Sequence, residues 1–151
     1  MTTTVQGIDG LKDLVGTELG TSPPMPITQE AVNLFAEATG DHQWIHVDVE
    51  RARGGPFGGP IAHGYLTLAL LPALLPTVFL VEGISMAVNY GLNKLRFPSP
   101  VPVGSEVVCT VGLLAVDDVA GGAQVTLATT ITVVGAPKPS CVAEVVFRYY
   151  A

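Results

Sequence analysis

The chain has 151 residues, of which 48% are hydrophobic and 13% charged, and its formal net charge is −6. This length suits one compact domain, so we expect a single domain over residues 1–151. The seven basic residues are scattered, whereas nucleic-acid binding needs a clustered basic surface, so we expect no nucleic-acid partner. The apolar composition favours a homo-oligomer that buries further surface against a second copy.

The first predicted elements are a lead-in and a helix. Residues 1–24 have weak periodicity, so we expect a loosely ordered lead-in, with at most a short helix or strand around Gly10–Leu19. Thr28 is a good N-cap and Glu30 in the first turn suits the positive end of a helix dipole. Gly40 is expected to end this helix in the left-handed conformation.

The next region combines an irregular segment with a very apolar one. Residues 41–60 read as irregular structure, and the Gly- and Pro-rich stretch 51–60 is either a mobile connection or a loop that lets substrate pass close to the backbone. Tyr65–Val81 has no charged residue and predicts a buried helix, which Pro72 is expected to bend or end. This segment is short for a membrane span and contains two prolines, so no span is expected.

The rest of the chain is predicted to form strands. Apolar and polar residues alternate there, and Gly- and Pro-rich turns separate four runs: Ser85–Phe97, Ser105–Val116, Gln124–Val134 and Cys141–Tyr149. A helix too apolar to face water is buried most simply by a sheet that curls around it. The predicted fold class is therefore α+β, with a curved antiparallel sheet wrapped around a long central apolar helix.

The cysteines and the N-terminus indicate the compartment. Cys109 and Cys141 lie among apolar or β-branched residues, and we interpret both as small buried hydrophobic residues in a reducing compartment. No basic region followed by an apolar run is present at the start, so we expect no signal peptide and a cytoplasmic location.

Chemistry is expected where the few titratable groups cluster. All three histidines, His42, His46 and His63, fall within 22 positions, together with Asp41 and Asp48. A zinc site is disfavoured, because cysteine ligands are absent there and Gly40 argues against a helix that would place His42 and His46 on one face. A Ser or Cys nucleophile is also disfavoured, because no nucleophile elbow occurs and both cysteines fall in predicted strands.

General acid–base chemistry remains. Asp41 and His46 can converge across a loop to hold a water molecule. The alternative is that Asp41 only caps a helix end and His46 is an ordinary loop residue, which local physics slightly favours. Gly64, at the start of the apolar helix, offers free backbone N–H groups for an oxyanion, or merely permits a tight entry into that helix. The residues alone therefore leave open both the role of Asp41 and His46 and the role of Gly64.

A family resemblance bears on these alternatives. The run Phe35–Asp48 and the later Gly59-Pro-Ile-Ala-His-Gly-Tyr-Leu-Thr-Leu68 together resemble the hydratase-2 motif of MaoC-like dehydratases, the (R)-specific enoyl-CoA hydratases. Asn89–Gly104 is similar to the strand and turn that follow the hotdog helix in that family. The likeness extends from Ile27 to the C-terminus and is closest to the small single-hotdog actinobacterial type.

The resemblance implies a hotdog fold, a homodimer with joined sheets, and reversible (R)-specific hydration of trans-2-enoyl-CoA. Asp41 and His46 would activate the water, and the Gly64 N–H would bind the thioester oxygen. Neither a metal nor a redox cofactor is implied, since CoA is part of the substrate. The alternatives are a 3-hydroxyacyl-carrier-protein dehydratase, a hotdog thioesterase and a non-catalytic acyl-binding subunit.

Two departures from the motif mark candidate substrate contacts. Gln43 stands where the motif has Asn and Trp44 where it has Pro. Trp44 would line the acyl pocket or, equally, form a core or dimer contact. Arg96 could meet CoA phosphates, as could Lys94, although a solvated strand charge is favoured for Lys94. The substrate-binding candidates are Gln43, Trp44, His63, Tyr65 and Arg96.

Overall fold

The computed structural model describes residues 2–151. Helices are concentrated in the first half of the chain, and long strands fill the second half. The helices are α1 (Gly7–Lys12), α2 (Gln29–Thr39), α3 (Trp44–Val47), α4 (Val49–Arg53), α5 (Gly64–Ala69) and α6 (Leu71–Val78). The strands are β1 (Thr3–Gln6), β2 (Glu18–Thr21), β3 (Met25–Pro26), β4 (Phe79–Glu82), β5 (Met86–Arg96), β6 (Glu106–Val119), β7 (Gly122–Val133) and β8 (Cys141–Tyr150).

One antiparallel sheet organises the molecule. Its strand order is β2-β6-β7-β8-β5, and β3 pairs with the start of β6. The four long predicted strands are all present, although β6 and β7 extend through the predicted turn and meet at Ala120-Gly121. Register shifts interrupt the β5–β8 and β6–β7 ladders, and such bulges bend and twist a sheet.

The inner face of the sheet packs on α6. In α6, Leu71, Leu74 and Val78 are at most 2% exposed and belong to one core cluster with alternate residues of the central strands. Those strand residues include Val111, Leu127 and Ile131, as well as the free thiols Cys109 and Cys141. The period of two puts these side chains on a single face, which confirms the predicted α+β class with an antiparallel sheet packed on the apolar helix.

The central helix differs from its prediction in length and continuity. It is broken at Leu70 into α5 and α6, and it ends at Val78 instead of Val81. Pro72 lies in the first turn of α6, where the helix does not need its missing N–H. Residues 79–82 instead form β4, because they pair in parallel with β1. No helix among residues 2–151 is long and apolar enough to cross a membrane.

The prediction of a loosely ordered lead-in was wrong for the described residues 2–24. Leu11 of α1 is fully buried, and Val5 and Leu19 are almost so. The segment is ordered by β1–β4 and β2–β6 pairing with strands more than 70 residues away in sequence. Local periodicity carries no information about such distant partners, which explains the error.

The helix before the candidate site was predicted correctly. The Thr28 hydroxyl accepts a hydrogen bond from Ala31 N at 3.1 Å, which caps α2. Gly40 ends α2 with φ of 82°, a conformation that favours glycine. Residues 41–60, predicted to be irregular, contain the two short helices α3 and α4. The Asp48 carboxylate caps α4 by accepting a hydrogen bond from Arg51 N at 3.1 Å.

Candidate active site

His46 is held in one tautomer by the backbone. It lies in α3 and is 6% exposed, and its Nδ1 is 2.6 Å from the carbonyl oxygen of Ile61. Because a carbonyl only accepts hydrogen bonds, Nδ1 carries the proton, and in the neutral ring the Nε2 lone pair is free to accept one. The backbone of α3 is itself fixed, since Gln29 Nε2 donates to His46 O at 2.8 Å and Ile61 N donates to Ile45 O at 3.0 Å.

His63 links the two residues of the predicted pair. Its ring stacks on that of His46 with centroids 3.9 Å apart, and Phe35 packs against it at 4.7 Å. Its Nε2 donates to the backbone carbonyl of Asp41 at 3.0 Å. His63 is only 2% exposed, and its Nδ1 has no hydrogen-bond partner among residues 2–151. This enclosed ring contacts both Asp41 and His46, and its predicted role in contacting substrate stays a prediction.

Asp41 completes the group and faces solvent. Asp41, His46 and His63 each bring one side-chain oxygen or nitrogen to within 4.8 Å of the other two. Asp41 is exposed, and its Oδ1 accepts a hydrogen bond from Gln43 N at 3.4 Å. The left-handed turn at Gly40 redirects the chain from α2 into this position. Asp41 and His46, which are close in sequence, therefore lie beside His63, 22 positions after Asp41.

The environment keeps His46 neutral. Burial lowers the pKa of His46 below its ordinary value of 6.5, and the nearby His63 lowers it further. The hydrogen bond to Ile61 O and the Asp41 carboxylate act in the opposite direction and are outweighed. At neutral pH, His46 is thus an unprotonated base whose free nitrogen is Nε2.

A cavity of about 250 Å³ joins His46 to Gly64. Phe57, Phe97 and Thr67 also line it. Gly64 is the first residue of α5, where a helix leaves backbone N–H groups without an internal partner. A Cβ atom at Gly64 would lie 3.0 Å from the Phe97 ring, so only glycine lets this backbone approach the aromatic wall so closely. Both interpretations of Gly64, as an oxyanion donor and as a residue that permits a tight entry into the helix, therefore have a physical basis.

The donor types of Asp41, His46 and His63 are ones that metals accept, but their geometry suits a metal poorly. The two imidazole planes are stacked and inclined by only 25°. Nearly parallel rings direct their nitrogen lone pairs side by side, whereas a metal needs lone pairs that converge on one point. The arrangement is better suited to holding a polar molecule through hydrogen bonds.

The other predicted substrate contacts are dispersed. Gln43 is exposed and precedes α3 as its N-cap residue. Trp44 packs on the glycine-rich loop and is absent from the lining of the His46 cavity. Tyr65 is 69% exposed and lines a second cavity of about 360 Å³. Arg96 is exposed on β5, and its guanidinium donates to Leu95 O at 2.7 Å. His42 lies apart from the site, with its Nε2 3.7 Å from a Glu37 carboxylate oxygen.

Sequence reasoning missed several residues of the site. Ile61 acts through its backbone carbonyl, which no side-chain pattern reveals. Phe57 and Phe97 form walls of the cavity although they lie 40 positions apart. Phe35 was named only as the start of the run that resembles the family motif, yet it packs against the His63 ring. The single available signal was the position of Phe57 within the glycine-rich stretch.

Residues 11–135 match the MaoC like domain. The 3-hydroxyacyl-thioester dehydratase Z of Mycobacterium tuberculosis is 55% identical over 149 residues, which cover 98% of this chain and 99% of that protein. This chain belongs to the MaoC-like dehydratases. As a MaoC-like dehydratase it is a hydro-lyase.

Solved structures of related enzymes have the same fold as this MaoC-like dehydratase. The unliganded R-hydratase PhaJ1 from Pseudomonas aeruginosa is 26% identical with a TM-score of 0.75, over 95% of this chain and 85% of that one. The (R)-hydratase from A. caviae involved in PHA biosynthesis is 28% identical with a TM-score of 0.63, over 87% of this chain and 96% of that one. The resemblance stated from the sequence is therefore confirmed at the level of family and fold.

Proposed function

We propose that this protein catalyses the reversible, (R)-specific hydration of trans-2-enoyl-CoA to (R)-3-hydroxyacyl-CoA. The observation that carries the proposal is a neutral histidine with a free Nε2 and the backbone N–H of Gly64 at one cavity, with the Asp41 carboxylate within 4.8 Å of a ring nitrogen of that histidine. The dehydratase and (R)-hydratase names of its relatives support the same chemistry.

In the proposed mechanism, Asp41 and His46 hold one water molecule. His46 Nε2 accepts a proton from the water while the Asp41 carboxylate accepts the hydrogen bond that orients it. The oxygen bonds to C3, the electrons of the double bond shift towards the thioester, and the Gly64 N–H donates to the carbonyl oxygen as its negative charge grows. The proton that His46 accepted is then returned to C2, so the net change is addition of one water. The overall oxidation state is unchanged, so the proposed reaction needs no redox cofactor. In this mechanism the Gly64 N–H polarises the thioester carbonyl, so no metal is included.

The acyl tail has a separate candidate cavity. The 360 Å³ cavity lies between α5–α6 and strands β5 and β8, and Tyr65, Leu68, Leu92 and Phe147 are among its walls. Tyr65 follows directly after Gly64, so the start of α5 lines both cavities. We place the thioester beside Gly64 and the hydrocarbon tail in this mostly apolar space.

A homodimer would cover two apolar surfaces that a single chain leaves open. One is a stripe along α5 and α6 whose exposed residues recur at helical spacing: Tyr65, Ala69, Pro72, Ala73 and Pro76. The other is β5, the end strand of the sheet, with exposed Met86, Val88, Tyr90 and Leu92. Pairing of two β5 edges would join the sheets. The buried free thiols suit a reducing compartment, and we place the reaction in the cytoplasm.

A carrier-protein thioester is the second candidate substrate. The relative from Mycobacterium tuberculosis is named for a thioester without specifying its carrier, and the chemistry at C2 and C3 is the same for both carriers. The two carriers would be distinguished by contacts away from C2 and C3. Arg96, an exposed cation on β5, is the candidate for such a contact.

One set of assays tests the proposal. Purified protein is incubated with trans-2-enoyl-CoAs of increasing chain length, with matched carrier-protein thioesters and with saturated acyl-CoA. We expect loss of the enoyl-thioester absorbance and formation of the (R)-3-hydroxy product. An (S) product would refute the stereochemistry, and release of free CoA from saturated acyl-CoA would indicate a thioesterase. Binding with no change in absorbance would indicate a non-catalytic acyl-binding subunit.

A further inference from the structure

Trp44, the one tryptophan of the chain, packs on the glycine-rich loop that follows α4. A Cβ atom at Gly55 would lie 2.9 Å from Trp44 Cζ3 and 3.1 Å from Cη2. The loop backbone therefore rests directly on the outer edge of the indole. The Arg51 guanidinium covers the ring from another direction, with its Cζ atom 4.3 Å from the ring centroid. Trp44 is thus partly buried between the loop and α4.

The segment held in this way carries an aromatic wall of the candidate active site. Gly55 N donates to Ala52 O at 3.0 Å, and Gly58 N donates to Gly55 O at 3.3 Å, so the chain turns back at Gly55. Phe57 lies within this turn, lines the cavity that contains His46 and Gly64, and remains 47% exposed. Its position depends on the turn more than on its own burial.

Trp44 and His46 lie on the same short helix, so their positions are linked. Both lie in α3, whose four residues are fixed to α2 through Gln29. A loop that rests on Trp44 is thereby placed relative to the base on the same helix. A glycine-rich loop has many accessible backbone conformations, so it loses its position readily without such a contact.

We propose that Trp44 is a positioning residue for substrate binding, which acts by packing on Gly55 and so holds Phe57 as a wall of the His46–Gly64 cavity. The contact requires both partners: an indole at position 44 and a residue without a side chain at position 55. Phe57 then covers apolar parts of the substrate near the thioester and excludes water from them. The substrate named here rests on the proposed function, whereas the loop contact does not.

The role predicts an effect on binding more than on the chemical step. Phe57 has no titratable group, and the contacts of His46 with Ile61 and His63 do not involve the loop. Displacing the loop should therefore raise KM while kcat changes little. Loss of one apolar wall of a binding pocket costs about tenfold or more in kcat/KM, and here we expect that cost to fall on KM.

Two glycines of the same loop provide the test and its matched control. Gly55→Ala forces the added methyl against Trp44, whereas Gly59→Ala meets nothing within 4 Å, and neither position has a positive φ. Trp44 emission and its quenching by acrylamide are measured first, without substrate. We expect Gly55→Ala to shift the emission and increase quenching and Gly59→Ala to leave both unchanged. Identical spectra for the two variants would overturn the proposed contact, whether or not the protein is a hydratase.

Kinetics with crotonyl-CoA then test the role. We expect KM to rise about tenfold in Gly55→Ala and Phe57→Ala, with kcat within about twofold of the unchanged protein, and no change in Gly59→Ala. Trp44→Phe removes the two indole atoms closest to Gly55, so Trp44→Phe/Gly55→Ala should recover part of the affinity lost in Gly55→Ala. Additive losses in the double variant, or a fall in kcat with unchanged KM, would overturn the positioning role. Should the unchanged protein lack hydratase activity, the proposed function fails while the quenching result still decides the contact.

Discussion

Substituting His46 by Asn separates its role as a base from its role in the fold. The Nδ2 amide of Asn lies close to the place of the imidazole Nδ1, so it can still donate to Ile61 O, which accepts at 2.6 Å from His46. What is lost is Nε2, the free nitrogen. A positioned general base contributes ~100- to 10,000-fold, equivalent to about 3–5 kcal/mol of activation free energy. The expected result is a fall in kcat of that size.

The same change has a calculable cost in stability. The imidazole is 6% exposed and stacks on His63, so Asn leaves unfilled space beside that ring. Loss of a few buried ring atoms destabilises a protein by roughly 1–2 kcal/mol. We therefore expect a measurably lower Tm with a cooperative transition retained, which separates loss of the base from loss of the fold.

The assay is the disappearance of the enoyl-thioester absorbance of crotonyl-CoA, measured beside a thermal melt. His42→Asn is the matched control, because this histidine is half-exposed and lies outside the site. It should match the unchanged protein in both measurements. If folded His46→Asn lost less than about tenfold in kcat, or ~1.4 kcal/mol, His46 would not be the general base.

Three further predictions concern the same candidate site. Asp41→Asn keeps an acceptor for Gln43 N but removes the charge, so kcat with crotonyl-CoA should fall by about 100-fold or more; unchanged turnover would exclude the carboxylate from water activation. Gly64→Ala places a methyl 3.0 Å from the Phe97 ring and should lower kcat about 10- to 100-fold, because it displaces the N–H. A second change, Phe97→Leu, should restore part of the lost kcat. An unchanged kcat in Gly64→Ala would show that the N–H is unimportant. The acid limb of kcat/KM should lie below pH 6.5, since burial lowers the pKa of His46, and His63→Phe should move it to higher pH; a limb that stays in place would contradict the coupling.

The lowered pKa of His46 also makes the stability of the fold depend on pH. The folded pKa of His46 lies below its unfolded value, so the unfolded chain binds a proton that the folded chain resists. Its contribution to stability is fully present above the ordinary histidine pKa and is lost as pH falls towards the lowered value. Urea titrations across this range should show a decrease that His46→Asn lacks.

The sequence by itself determined the local elements and the candidates for the reacting groups. Thr28 and Gly40 define α2 because a capping hydroxyl and a left-handed glycine act within a few residues. Alternation at period two defines β5 to β8 for the same reason. Asp41, His46 and Gly64 were identified because few other titratable groups are present and their spacing matches a family motif.

Tertiary structure decided everything that depends on distant partners. Residues 2–24 are ordered through pairing with β4 and β6, which no local pattern signals. His63 was identified as a candidate from the sequence, but only the fold shows that it stacks on His46 and binds the Asp41 backbone. The tautomer of His46 depends on the Ile61 carbonyl, and Trp44 contacts the loop instead of the cavity. These features arise from contacts between backbone and side chains that the chain brings together only on folding, so they follow from packing and not from composition or periodicity.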